Sequence, residues 1–287
     1  MKPTIRAAVL PVALALAGLS PPAASPSSGQ TLGHALRTVD PEPIGPARAA
    51  VEIGAVYLPG STFGASGLAG DLLRTPSVTA RIGLGSDAEF EIHTGWNVLM
   101  VEERFAAPLA DRLEFDGDAT SDIADPVVST KLRMLHEADR LPSLALRAAT
   151  RLPVASNESG LGLDTTDFFL SLLLGKTVGR TRLLGNLGLG ILATPTEATS
   201  QNDVLLYGLA AVHPLRSGLA LVGEISGRVD PSGVEWPGLE DSGQARLGVR
   251  LGEGETSFDA ALVLGTHEVD ADVGLVVGLF RAFSLPR

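Results

Sequence analysis

"PSLALRAATRLP", residues 142–153, alternates from end to end. Leu144, Leu146, Ala148, Thr150 and Leu152 fall on one face of a strand, and Ala145, Arg147, Ala149 and Arg151 on the other. Successive side chains of an extended chain point to opposite sides, so the two sets face different surroundings. One face wants hydrocarbon; the other tolerates two guanidinium groups. A strand of this kind separates an apolar exterior from a polar interior.

The same period of two runs through most of the chain from Arg48 onward. Val51, Ile53, Ala55 and Tyr57 oppose Glu52 and Gly54, and Phe90, Ile92, Thr94 and Trp96 oppose Glu89, Glu91 and His93. Val128, Thr130, Leu132 and Met134 oppose Ser129, Lys131 and Arg133, and Leu187, Leu189 and Ile191 oppose glycines and Asn186. Toward the C-terminus, Phe258, Ala260, Leu262 and Leu264 oppose Asp259, and Val273, Leu275, Val277 and Leu279 oppose Asp272 and Gly274. Only residues 203–213 are apolar on both faces, which leaves their orientation open. The pattern gives about twelve strands of about ten residues, longer than the usual soluble strand and long enough to cross a bilayer at a tilt. Prolines are expected at strand ends, where no ladder hydrogen bond is lost.

The connections alternate in length. Residues 85–87, 137–141, 178–181, 214–218 and 252–255 read as tight turns. Residues 58–75, 100–122, 154–164, 194–202 and 229–241 read as long loops, and only the hairpin near 266–269 breaks the rule. Short turns at one end and long loops at the other are the asymmetry of an outer-membrane barrel. Hydrocarbon leaves no unpaired backbone group satisfied, so such a sheet must close. The predicted fold is all-β: a closed antiparallel transmembrane β-barrel of about twelve strands over residues 48–287. An even strand number puts both chain ends on the short-turn, periplasmic side of a Gram-negative outer membrane.

The N-terminus agrees with that address. Lys2 and Arg6 precede the apolar run Ala7 to Leu19, followed by small residues and prolines, which is the order of a secretory signal over residues 1–25. Residues 26–47 read as a mobile Pro/Ser-rich periplasmic lead. The net charge of −11 speaks against a nucleic-acid partner, because phosphate binding needs a basic footprint. The chain has no cysteine, which excludes disulfides, thiolate metal sites and a cysteine nucleophile.

On these parities the interior receives Arg81, Lys131, Arg133, Arg147, Arg151, Arg228, Arg246 and Arg250. Facing them are Glu52, Glu89, Glu91, Asp167, Glu224 and Asp259. Charged rings set pore selectivity, so these side chains are candidate pore-lining residues; the alternative is a salt-bridged interior that fills a narrow barrel. The acidic stretch "DGDATSD" spaces Asp116, Asp118, Thr120 and Asp122 like the start of a calcium loop. Ser121 stands where that loop needs glycine and Val127 where it needs glutamate, so a solvated acidic loop is the better reading and no metal site is assigned. "GEISG" does not have the Gly-x-Ser-x-Gly spacing of a nucleophile elbow, and no helix follows the glycine pairs that mimic a nucleotide loop. No catalytic residue and no cofactor is assigned.

Several stretches resemble the outer-membrane family of meta-pathway phenol-degradation proteins. They are "DIADPVVSTKLRMLHEADRLPSLALRAATRLPVA", "GLGLDTTDFFLSLLLGKTVG" and "LALVGEISG", together spanning Asp122 to Gly227. The resemblance implies an outer-membrane barrel that moves aromatic or hydrophobic compounds and carries no catalytic residue. The predicted function is therefore a passive pore or uptake protein for small solutes. Its expected partners are outer-membrane lipid, the barrel assembly machinery and the solute itself. The end "FRAFSLPR" places Phe283 four residues before the C-terminus, an atypical position for an assembly signal. A secreted soluble β-protein that binds a ligand is the rival reading, and an outer-membrane lipid hydrolase the third.

Overall fold

The structure, a computed structural model, describes residues 36–196, 200–233 and 236–286. The expected signal segment lies outside the described residues. Twelve strands follow in order: β1 (Arg48–Phe63), β2 (Leu68–Gly83), β3 (Ala88–Arg104), β4 (Ala119–Leu135), β5 (Ser143–Arg151) and β6 (Asp167–Val178). Then come β7 (Thr181–Ala193), β8 (Gln201–Arg216), β9 (Leu219–Val229), β10 (Ser242–Glu253), β11 (Thr256–Gly265) and β12 (Val273–Ser284). Each pairs antiparallel with the next, and β1 pairs with β12 from Arg48↔Ser284 to Tyr57↔Leu275, which closes the ring. Closure removes the two free edges that an open sheet would present to lipid.

The two faces separate as the alternation requires. Leu146, Leu170, Leu189, Leu247, Leu262 and Leu275 are all exposed on the outer surface. Their inward neighbours Ala145, Ala149, Leu173 and Ala261 are buried. In β8, Leu209 is 67% exposed while Val204 and Ala210 are 1% and 7% exposed, so odd residues of that strand face out. That settles the one orientation the sequence leaves open.

Two expectations about connections need correction. The 58–75 loop does not exist: β1 and β2 continue through it as a long hairpin closed by residues 64–67. Likewise β3 and β4 extend to leave 105–118 in place of 100–122. Gly60, Ser61 and Pro59 mask the alternation there, although the ladder still pairs Ser61 with Gly70 and Phe63 with Leu68. Prolines are also not confined to strand ends. Pro59, Pro76, Pro126 and Pro214 each lie at a shift of register, between Leu58/Ser61, Arg74/Ser77, Val127/Ala124 and at Pro214/Arg216. A bulge frees the residue from pairing, so a missing N–H costs nothing there.

The lead into the barrel is the larger correction. Residues 36–47 do not float outside; they lie against the inner wall near the short-turn rim. Leu36 packs with Leu184, Ala210, Val222 and Ala261, and Ile44 packs with Ala50, Phe280 and Ala282. This strap therefore crosses the lumen from the β12/β1 side to the β7–β11 side. Glycines on the wall let it approach: a side chain at Gly83 would collide with the Gly45 carbonyl, and one at Gly208 would press on Thr38.

The division of faces predicts asymmetric tolerance. Leu146→Arg puts a charge on the outer belt and should cost about 2–4 kcal/mol in a bilayer. Ser171→Asp, on the inner face of the neighbouring strand and opposite Arg147, should assemble close to normally. Urea unfolding in lipid vesicles checks this; equal damage from the two would mean the outer face does not meet lipid.

Candidate functional site

The fourteen candidate residues all face the interior, and the structure joins most of them into ion pairs. Arg81 lies between Glu91 and Glu52, at 2.6 Å and 3.3 Å. Arg147 reaches the same Glu91 at 3.0 Å. Lys131 pairs with Glu89 at 3.0 Å, and Arg250 holds Asp259 through two hydrogen bonds of 2.7 Å. Arg151 pairs with Asp167, which also accepts the Ala193 N–H at 3.0 Å. Neighbouring strands place these partners side by side: Arg81↔Glu91, Glu89↔Lys131, Arg151↔Asp167 and Arg250↔Asp259 are register pairs. Period two thus converts a sequence of charges into rings of cross-strand pairs.

Buried charges need partners, since removing one member of such a pair costs about 3–5 kcal/mol. The strap supplies what the walls lack. Glu224 accepts the backbone N–H groups of Arg37 and Thr38 at 2.6 Å and 2.7 Å, and the Thr38 hydroxyl at 2.8 Å. Glu89 accepts the Ile44 N–H at 2.7 Å. Lys131 donates to the carbonyls of Asp40 and Glu42, at 3.0 Å and 3.1 Å. Arg133 pairs with Glu42 and with Asp87, and Arg182 with Asp40 at 2.9 Å. Four candidates, Lys131, Arg133, Glu89 and Glu224, therefore hold the strap as well as facing the lumen.

Sequence reasoning missed several interior groups. Arg74 faces in because the bulge between Arg74 and Ser77 reverses the parity of β2. Arg182 follows the predicted 178–181 turn and has no face assigned from sequence, yet it is the second residue of β7 and bridges Asp40 and Glu137. In the 136–142 turn beside it, burial alone would raise the Glu137 carboxyl. The Thr177 N–H, Lys176 and Arg182 outweigh burial and hold it below the usual carboxylate range. The Pro-Glu-Pro run at residues 41–43 gives no strand or helix pattern, so the strap was not legible as a lumen element.

At the other end, long loops pack on the rim. Asp122 accepts the Ser156 N–H and hydroxyl at 2.8 Å and 3.2 Å, which ties the 152–166 loop to β4 and gives that carboxylate a structural partner. Leu192, Val204 and Leu239 form a buried apolar cluster with Leu163, Phe169, Leu206 and Trp236 packed on it. Among the histidines, His93 contacts the Thr79 hydroxyl, His213 that of Thr181 and His267 that of Thr266.

These features define a closed, twelve-stranded antiparallel barrel with an ion-paired interior. No known protein family matches the chain, and no curated protein matches its sequence. Among solved structures it is similar to an outer membrane channel from Pseudomonas putida F1, with TM-score 0.59 and 13% identity over 85% of this chain and 98% of that one. Weaker likeness extends to the translocator domain of the autotransporter NalP from Neisseria meningitidis, at TM-score 0.47 and 15% identity over 82% of this chain and 87% of that one. LpxR from Salmonella typhimurium follows, at TM-score 0.43 and 9% identity over 81% of this chain and 99% of that one. The first of these shows that the chain has an outer-membrane barrel fold.

The strap's seat is directly testable. A β-carbon at Gly208 would lie 3.5 Å from that of Thr38, within disulfide range, and the chain has no other cysteine to interfere. Thr38→Cys with Gly208→Cys should cross-link intramolecularly under mild oxidation and alter migration on non-reducing gels. Two thiols that stay alkylatable after oxidation would place the strap elsewhere.

Proposed function

We propose that the protein sits in the outer membrane, with both termini periplasmic, and passes small solutes through a lumen narrowed by its own N-terminal strap. One observation carries this reading. The element that obstructs the lumen is held mainly by hydrogen bonds and ion pairs to the wall, at Glu224, Glu89, Lys131, Arg133 and Arg182. Polar groups of this kind can be satisfied by water once the strap leaves and the lumen fills, so the obstruction is separable from the barrel. The exposed apolar outer face supports a bilayer, since a soluble protein rarely leaves so continuous an apolar surface uncovered. Lipid contacts that face, and Phe283, 41% exposed at the end of β12, is the residue we assign to recognition by the assembly machinery.

Aromatic or hydrophobic compounds are the proposed cargo. The resemblance to phenol-degradation barrels suggests it, and the apolar cluster around Phe169, Leu206 and Trp236 at the long-loop end gives such a solute a first contact.

The experiment is planar-bilayer recording of the Thr38→Cys/Gly208→Cys protein. Oxidised, the strap is fixed and conductance should be small; after reduction it should rise in discrete steps to the wild-type level. Absence of any conductance in both states, with no flux of a phenol into vesicles, would contradict a transport role.

A further inference from the structure

The tip of a long hairpin at a barrel rim is ordinarily among the most exposed parts of the chain. Here the β1–β2 tip is buried: Ala65 and Ser66 are each 3% exposed and Leu68 is 0% exposed. The groups that cover it come from opposite sides of the ring. On one side, the Ser66 hydroxyl donates to the Gly160 carbonyl at 2.8 Å, in the connection between β5 and β6. On the other, a β-carbon at Gly238, between β9 and β10, would lie 2.8 Å from that of Ala65. Strands β3 and β4 intervene on the first side, and β12 and β11 on the second. A segment that touches both must lie over the mouth.

Nearer neighbours complete the cover. The Leu109 N–H donates to the Ala65 carbonyl and the Phe105 N–H to the Gly67 carbonyl, both at 2.8 Å. The Thr62 N–H reaches the Val269 carbonyl, between β11 and β12, at 3.4 Å. Leu68 packs with Leu72 and Leu99, and Leu113, Phe115 and Leu161 lie against that cluster.

A second observation is a break in the wall at the foot of the tip. The β1–β2 ladder shifts register between Leu58 and Ser61, and the β2–β3 ladder between Ala69 and Gly70. Ser61 and Gly70 are register partners, so both breaks fall at one level. Gly60 takes a φ of +69° there, in open space. Gly70 lets β2 pass the Met100 carbonyl, with which a β-carbon would collide. Bulges and glycines at matched points of neighbouring strands absorb changes in φ and ψ, as a hinge must. Beyond the break, Glu103 and Arg104 still pair with Ala69 and Leu68, so the end of β3 travels with the tip.

We propose that residues 61–70 form a hinged lid over the long-loop mouth, latched at Gly160 and Gly238 and opened by rotation about Gly60 and Gly70. The inference rests on the reading of the barrel as a solute pathway and adds the regulation of its entrance. The latch uses neutral hydrogen bonds and apolar contact, and water replaces such hydrogen bonds at small net cost. The strap is held instead by the carboxylates of Glu224 and Glu89. Separate elements therefore close the two ends of the lumen, each with its own chemistry.

Thiol labelling tests the lid, since the chain has no cysteine of its own. A charged maleimide is added to the full-length protein in detergent micelles, carrying either Ala65→Cys or Gly117→Cys. Gly117 is the reference, exposed in the 105–118 connection with nothing within 4 Å of a β-carbon there. Ala65→Cys should react about tenfold or more slowly than the reference, at a rate set by lid opening. Adding Ser66→Ala, which removes the bond to Gly160, should speed the Ala65→Cys reaction about three- to tenfold. In planar bilayers Ser66→Ala should open more often than wild type, with the same step size. Each substitution changes a single heavy atom, and heat-shifted migration on gels verifies assembly.

Equal reactivity at the two positions would overturn the proposal. So would no reaction at Ala65→Cys in either background, which would make the tip a fixed plug. Where wild type conducts, faster labelling without more frequent opening would overturn it as well. Labelling needs no solute, so where wild type does not conduct, the transport reading fails and the labelling pattern alone decides the lid.

Discussion

Everything inside this protein depends on finding partners for charges that closure has taken out of water. Once twelve strands ring up, alternate residues point into an enclosed space, and a lone ion there is expensive. The walls meet part of the need through register: Arg250 with Asp259, Arg151 with Asp167 and Lys131 with Glu89 are opposed across adjacent strands. The strap meets another part. Its amides go to Glu224 and Glu89, its carbonyls to Lys131 and its carboxylates to Arg133 and Arg182. Seen this way the strap is a component of the interior that happens to lie before the first strand.

That dependence also explains which parts of the molecule were readable. Alternation is a local signal, so Leu144–Leu152 and its neighbours displayed both faces without any knowledge of the fold. Loop lengths then separated the two rims. The bulge at Arg74–Ser77 was not legible, because one extra residue in the strand swaps the two faces and Pro76 reads as a stop. Arg74 was lost with it. Arg182 was lost for a different reason: a charged residue next to a two-residue turn looks like turn surface. The strap has no period at all, being placed by partners more than forty residues away in sequence. Nothing within residues 36–47 announces those partners.

The fourteen interior residues were legible as a set, but their division of labour was not. From sequence, Arg133, Arg147, Arg151 and Arg250 are all candidate pore-lining cations. In the structure each has a carboxylate partner. Arg74 and Arg228 instead donate to neutral oxygens. Parity assigns a residue to a face; only register and long-range contacts assign it a partner. For a barrel, charge counts along the sequence therefore say little about the field a solute meets.

The central claim is that the strap is a docked part of the interior, held by Glu224 and Glu89. Hydrogen–deuterium exchange of the reconstituted full-length protein, resolved to single amides, measures it most directly. The Thr38 and Ile44 amides, bonded to those carboxylates, should exchange far more slowly than an unstructured chain. Exchange of both at unstructured-chain rates, while the strand amides stay protected, would contradict the account.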